Sequence, residues 1–201
     1  MPTAPQTATP LPDAEEKARY TQLLLRDFHA LERLIKQDRL ERGVRRIGAE
    51  LEINLLNAER EPALIGDEIQ KALGDPQVDT EFSRFNLEIN ARPAALRNGC
   101  FSDLERDLQS ALDKIRAEAA RRDCSLLLSG IIPTLSKAHI TPEALTPKLR
   151  YKALYDLRRA LKGEQYEYRI RGVDELLTRD NIALFAGSVT SYQAHLQVDL
   201  D

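Results

Sequence analysis

The sequence predicts an α+β domain in which a mainly antiparallel sheet carries helices packed on one face. Stretches that alternate apolar and polar residues with period two recur along the chain, and segments with apolar residues at helical spacing lie between them. The two kinds are interspersed without a regular β-α-β rhythm, and no internal repeat or coiled-coil heptad is present.

In chain order, residues 1–13 are rich in Pro, Thr and Ala without periodicity. They cannot bury enough apolar surface to offset ordering entropy, so a disordered leader is expected. Over 14–37, Leu24, Phe28, Leu31 and Ile35 recur at helical spacing and predict one amphipathic helix. Strands are expected over 46–54 and 84–90. Ser102 and Glu105 form an S-x-x-E capping box ahead of Leu108, Leu112 and Ile115, which predicts a second helix opening at Ser102. The apolar run 125–132 stops at Pro133 and reads as a buried strand. A third helix is expected from Thr146 as cap, with Pro147 at its first position and Gly163 suited to its C-terminal cap. Strands over 165–171 and 188–201 complete the set, and the last runs to Asp201 with no closing turn. The expectation is therefore that 14–201 is the N-terminal part of a longer protein, with further strands pairing onto an incomplete sheet.

Composition narrows the function. Lys and Arg number 29 against 32 Asp and Glu, a net charge of -3 that offers no basic footprint for nucleic acid. The N-terminus lacks the basic start and apolar centre of a signal peptide, and no apolar run approaches membrane-spanning length. A soluble, cytoplasmic protein without nucleic-acid or membrane partners is expected. Cys100 and Cys124 are too far apart for a C-x-x-C element, so two reduced thiols, one or both packed in the fold, are expected.

The chemistry lies in the acidic strands. In 46–55, Glu50 and Glu52 are two apart, so on a strand both carboxylates share a face while Ile47, Ala49, Leu51 and Ile53 take the other. Adjacent like charges are comfortable only in water or around a cation. Taken alone, E-x-E on a strand is more often a solvated face than a metal site. A second acidic pair shifts that balance: Glu88 lies between Leu87 and Ile89, with Asn86 and Asn90 on its own side, and Glu81 precedes it at the strand entrance. Carboxylates converging from two strands suit a hard divalent cation such as magnesium. In 188–201, His195, Gln197 and Asp199 share one face, against Leu196, Val198 and Leu200 on the other, and a neutral His195 imidazole could ligate metal. His29 and His139 have no such company and read as structural.

These segments, in this order, resemble the glutamate-cysteine ligase family, whose fold and metal cluster are similar to those of glutamine synthetase. The resemblance rests on I-G-A-E-L-E at 47–52, T-E-F at 80–82 with N-L-E-I-N at 86–90, S-G-I-I-P at 129–133, R-Y-K-A-L-Y at 150–155 and T-S-Y-Q-A-H-L-Q at 190–197. It covers nearly all the chain after residue 43. The position of Glu81 is often Asp in that family, and family members commonly continue well past Asp201. The resemblance implies a catalytic domain of glutamine synthetase-like fold, of which 14–201 would be the N-terminal part. It implies that Glu52, Glu81 and Glu88 hold one magnesium ion, and that Glu50 and His195 share a second with a carboxylate beyond this chain. The implied reaction uses ATP to phosphorylate the γ-carboxylate of glutamate, after which an amino compound, cysteine foremost, attacks the acyl phosphate, as in glutathione biosynthesis. Arg150 and Tyr151 are candidates for substrate contact, since an arginine can clamp a carboxylate bidentately. The alternative is a noncatalytic or regulatory relative that keeps the fold and binds a ligand only. An ordinary α+β domain with an acidic face is the third reading, and it requires that the five metal candidates do not converge.

Overall fold

The computed structural model describes residues 13–162, 166–180, 185 and 187–199. Of the expected leader over 1–13, residues 1–12 lie outside the described residues, as do Gly163 as a cap, Gln165 at a strand start, and Leu200 and Asp201, whereas Asp13 is described and caps the first helix. In order the elements are α1 (Ala14–Lys36), β1 (Arg46–Leu56), α2 (Gly66–Leu73), β2 (Val78–Thr80), β3 (Asn86–Asn90), β4 (Ala94–Ala95), α3 (Cys100–Ala120), β5 (Ser125–Leu127), α4 (Leu149–Lys162), β6 (Tyr166–Arg171), β7 (Glu175–Asp180) and β8 (Tyr192–Leu196). No helix among the described residues is long and apolar enough to cross a membrane.

The chain divides into two compact units, the first formed by the residues up to Arg45 with those from Gln197 onward. There α1 starts on a capping box in which Asp13 accepts from the Glu16 N–H and Glu16 returns to the Asp13 N–H. It spans the predicted length, but none of its residues is buried and its Leu24, Phe28, Leu31 and Ile35 stripe is exposed. After α1, the Gly43 N–H donates to Asp199 and the Gln197 amide to Glu41. These bonds take 197–199 out of the extended strand that period-two alternation suggested, and β8 stops at Leu196.

The second unit, from Arg46 to Leu196, contains the sheet. Every strand pairing among the described residues is antiparallel. β1 is central, because one flank carries β3 and then β4 while the other carries β5 and β8. Ile47 shows the arrangement directly, paired with Ala94 on one side and Leu196 on the other. β2 lies outside β3. Ile47, Ala49 and Ile53 of β1 and Leu87 and Ile89 of β3 form a core with Ile69 of α2 and Leu104, Ala111, Leu112 and Ile115 of α3. Helical and period-two apolar patterns thus meet on one face of the sheet. Asp107 of α3 ties that helix to the chain leaving β3, accepting from the Arg92 N–H at 2.9 Å and the Gln77 amide at 2.8 Å. β6 and β7 make a separate two-stranded sheet. Cys100 is buried and Cys124 partly so, and both are free thiols.

Three expectations about element ends are corrected. α3 starts at Cys100 rather than Ser102, with Gly99 in the left-handed region at φ 86° and no side-chain cap. Cys100 is 3% exposed and extends the stripe of Leu104 and Leu108, so burial adds two residues ahead of the would-be capping box. α4 starts at Leu149 rather than Thr146, because the Thr146 hydroxyl donates to the Glu81 carbonyl instead of capping a helix. The 125–132 strand is only β5, three residues opposite Leu56–Asn54. Beyond it Leu128 and Ile131 are exposed, and the Asn54 amide and Thr190 hydroxyl both donate to the Ser129 carbonyl, turning the chain away from β1.

Candidate metal centre

β1 and β3 pair in a register that sets Glu50 opposite Asn90, Glu52 opposite Glu88 and Asn54 opposite Asn86. The Glu52 N–H bonds the Ser191 carbonyl at 3.0 Å, on the flank away from β3. Glu52 and Glu88 are therefore a non-hydrogen-bonded pair, the kind whose side chains stand closest. β2 adds Asp79 opposite Glu88. Directly opposed residues share a face, so Asp79, Glu88 and Glu52 form one acidic row across three strands, behind the core face of Leu87 and Ile89.

Glu81 joins this row from the crossover between β2 and β3. Glu52, Glu81 and Glu88, all half-buried, each offer a carboxylate oxygen, and these oxygens lie within 4.8 Å of one another. Among the described residues this is the one such group of three or more His, Cys, Asp or Glu side chains. Burial, a hydrogen bond to Glu88 and the charges of Glu88 and Glu52 push the Glu81 carboxyl up to about 7, against the opposing pull of the Phe82 N–H. Two donors orient the other members. The Asn90 amide donates to Glu88 Oε1 at 2.7 Å and the Ser191 N–H to Glu52 Oε2 at 2.7 Å. Two residues further along the strands, Asn86 donates to Asn54 Oδ1 at 2.9 Å in a fully buried amide pair.

Glu50 stands apart from the three. Its Oε1 lies 3.5 Å from His195 Nε2, on the same face of β1 and on the β8 flank. The five metal candidates thus gather as a triad and a neighbouring pair. His139 Nδ1 accepts from the Ser136 N–H at 3.0 Å, a local structural contact, and His29 packs edge-on against Phe28.

Tyr151 is 8% exposed and its hydroxyl donates to the Thr80 carbonyl at 3.1 Å, so it is built into the wall beside the triad. Arg150 is exposed, lies 4.7 Å over the Tyr151 ring and donates to its hydroxyl at 2.7 Å. Lys148 bonds Asp79 Oδ1 at 2.7 Å. Burial opposes ionisation of Asp79, but the Lys148 ammonium and the Thr80 N–H outweigh it and hold the carboxyl below its ordinary 3.8. A cleft of about 220 Å³ opens beside Glu52, walled by Leu128, Ser129, Gly130, Thr190 and Ser191.

Asp79, Lys148 and Ser191 belong to this neighbourhood without having been singled out from sequence, and Thr146 belongs to it although it was read only as a helix cap. Asp79 alone left a signal, an acid two residues before Glu81. The others act through pairings between distant segments, which leave no local pattern. No family model, no curated protein and no solved structure matches this chain.

Proposed function

We propose that this chain carries the magnesium-binding part of an ATP-dependent carboxylate-amine ligase of the glutamate-cysteine ligase type, with a glutamine synthetase-like fold, working in the cytoplasm. The supporting observation is the convergence of Glu52, Glu81 and Glu88 from three separate segments, with Glu50 and His195 beside them. The donor chemistry of the triad fits magnesium: three carboxylates, an all-oxygen set, where burial and the neighbouring carboxylates push the Glu81 carboxyl up to about 7. Glu52, Glu81 and Glu88 would hold one ion, and Glu50 with His195 would contribute to a second. When bound, magnesium supplies neutralisation of phosphate oxygens during transfer from ATP to the γ-carboxylate of glutamate. Asn90 and Ser191 keep the Glu88 and Glu52 carboxylates aimed at the shared space. Lys148 neutralises Asp79, so the acidic row ends on an ion pair. The exposed Arg150 guanidinium, seated on Tyr151, would clamp a substrate carboxylate.

The test is made on the full-length protein with ATP, Mg2+ and glutamate, adding cysteine and other amines one at a time and following phosphate release. Release that needs glutamate and one amine, and that falls roughly a hundred-fold or more in Glu52→Gln and Glu88→Gln, is expected. Full activity in both variants, or no amine-dependent release in the wild type, sinks the reading.

A further inference from the structure

We propose that Thr146 and Gly187 are positioning residues for Glu81, holding the crossover between β2 and β3 where its carboxylate meets Glu52 and Glu88. The proposal rests on the metal reading above. Sheet register by itself sets Glu52 against Glu88. Glu81 lies beyond the end of β2, so no strand ladder fixes it. What fixes it is a set of bonds to three consecutive carbonyls: the Tyr151 hydroxyl donates to Thr80 at 3.1 Å, the Thr146 hydroxyl to Glu81 at 2.6 Å, and the Thr146 N–H to Phe82 at 2.9 Å. Tyr151 and Thr146 together thus bind the carbonyls on both sides of Glu81, and Thr146 also binds that of Phe82, which fixes the direction in which Glu81 leaves the backbone. Thr146 is 2% exposed, so water cannot readily replace its hydroxyl.

A second contact holds the same crossover. The Ser83 hydroxyl donates to the Gly187 carbonyl at 2.6 Å. A Cβ added at Gly187 would stand 2.5 Å from Phe82 Cδ1 and 2.9 Å from Ser83 Oγ. Any side chain there must displace Phe82, the residue next to Glu81.

The probe is Mn2+, titrated into the metal-free chain and followed by electron paramagnetic resonance, with amide hydrogen exchange read in the same metal-free samples. Thr146→Val and Gly187→Ala are expected to weaken Mn2+ binding roughly ten-fold, while Thr146→Ser, which restores the hydroxyl, stays within about two-fold of wild type. Thr134→Val, which removes an exposed hydroxyl bond to the Arg60 carbonyl elsewhere, is expected to leave affinity unchanged. Exchange across residues 80–84 should be faster in Thr146→Val and not in Thr134→Val. Wild-type affinity in both Thr146→Val and Gly187→Ala overturns the proposal. If the wild-type chain binds no Mn2+, the metal reading falls, and exchange still decides: unchanged protection over 80–84 in Thr146→Val overturns the clamp, faster exchange upholds it. Should Thr146→Val fail to fold, the Gly187→Ala titration and its exchange over 80–84 decide in the same way.

Discussion

Glu81 ties the candidate centre to stability, because its carboxyl is protonated near neutrality in the folded chain but titrates at about 4.5 when unfolded. Between those values the folded state binds the extra proton, so the stabilising contribution is complete below 4.5 and is lost as pH rises through about 7. The metal-free chain should therefore melt at a lower temperature at about pH 8 than at about pH 5. A shift of this size corresponds to at most about 3 kcal/mol, and partial solvent contact reduces it to about 1–2 kcal/mol. Asp75, Asp79 and Asp107 shift downward instead, and their contributions disappear only as pH falls below the ordinary 3.8, outside this window. Calorimetry across that range, on wild type and Glu81→Gln, separates the cause: the variant should lose most of the slope. An equal slope in both would assign it to other groups. Glu88→Gln, which removes a like charge from the closest type of strand pair, should stabilise the metal-free chain by about 0.5–1 kcal/mol.

At the scale of the element, α3 shows which of two signals governs a helix end. The S-x-x-E pattern at Ser102 and Glu105 asks for a start at 102, whereas Cys100, buried among core residues, asks for one two residues earlier. A capping box contributes about 1 kcal/mol, comparable to burial of one small side chain, but here burial also extends a continuous apolar stripe. Ser102→Ala is accordingly expected to cost less than about 0.5 kcal/mol. Gly99→Ala, which forces a Cβ into φ 86°, should cost about 1 kcal/mol. Ile115→Ala, a truncation in the middle of the stripe at 0% exposure, should cost about 2–5 kcal/mol. Urea denaturation of the three variants checks the ranking, and a Ser102→Ala loss as large as that of Ile115→Ala would restore the capping box. β1 makes the same point for strands: its alternation is visible in the sequence, yet Asn54 at 0% exposure is held by partners as distant as Asn86, Ser129 and Thr190.

For the whole molecule, a cation held by the triad must stabilise the fold by linkage, by about 2.7 kcal/mol at a hundred-fold excess over its dissociation constant. Because the ion favours ionised carboxylates, Mg2+ should also flatten the pH slope expected of the metal-free chain. Thermal melts with and without Mg2+ at about pH 5 and pH 8 test both effects together, and a Mg2+ effect as large at pH 5 as at pH 8 would show that the triad is not its source. The sequence by itself determined which residues could meet on a face, because side-chain direction along a strand is a local property of the backbone: Glu50 with Glu52, Glu88 with Asn86 and Asn90, and the apolar faces that became the core. It determined an α+β chain with antiparallel pairing for the same reason, since alternation and helical spacing are each written within a few residues. Only the tertiary structure decided that Glu52 opposes Glu88, that Asp79 lengthens the row, and that Thr146 serves Glu81 instead of a helix. Register and core burial join segments tens of residues apart, and their energies depend on neighbours that no local window contains.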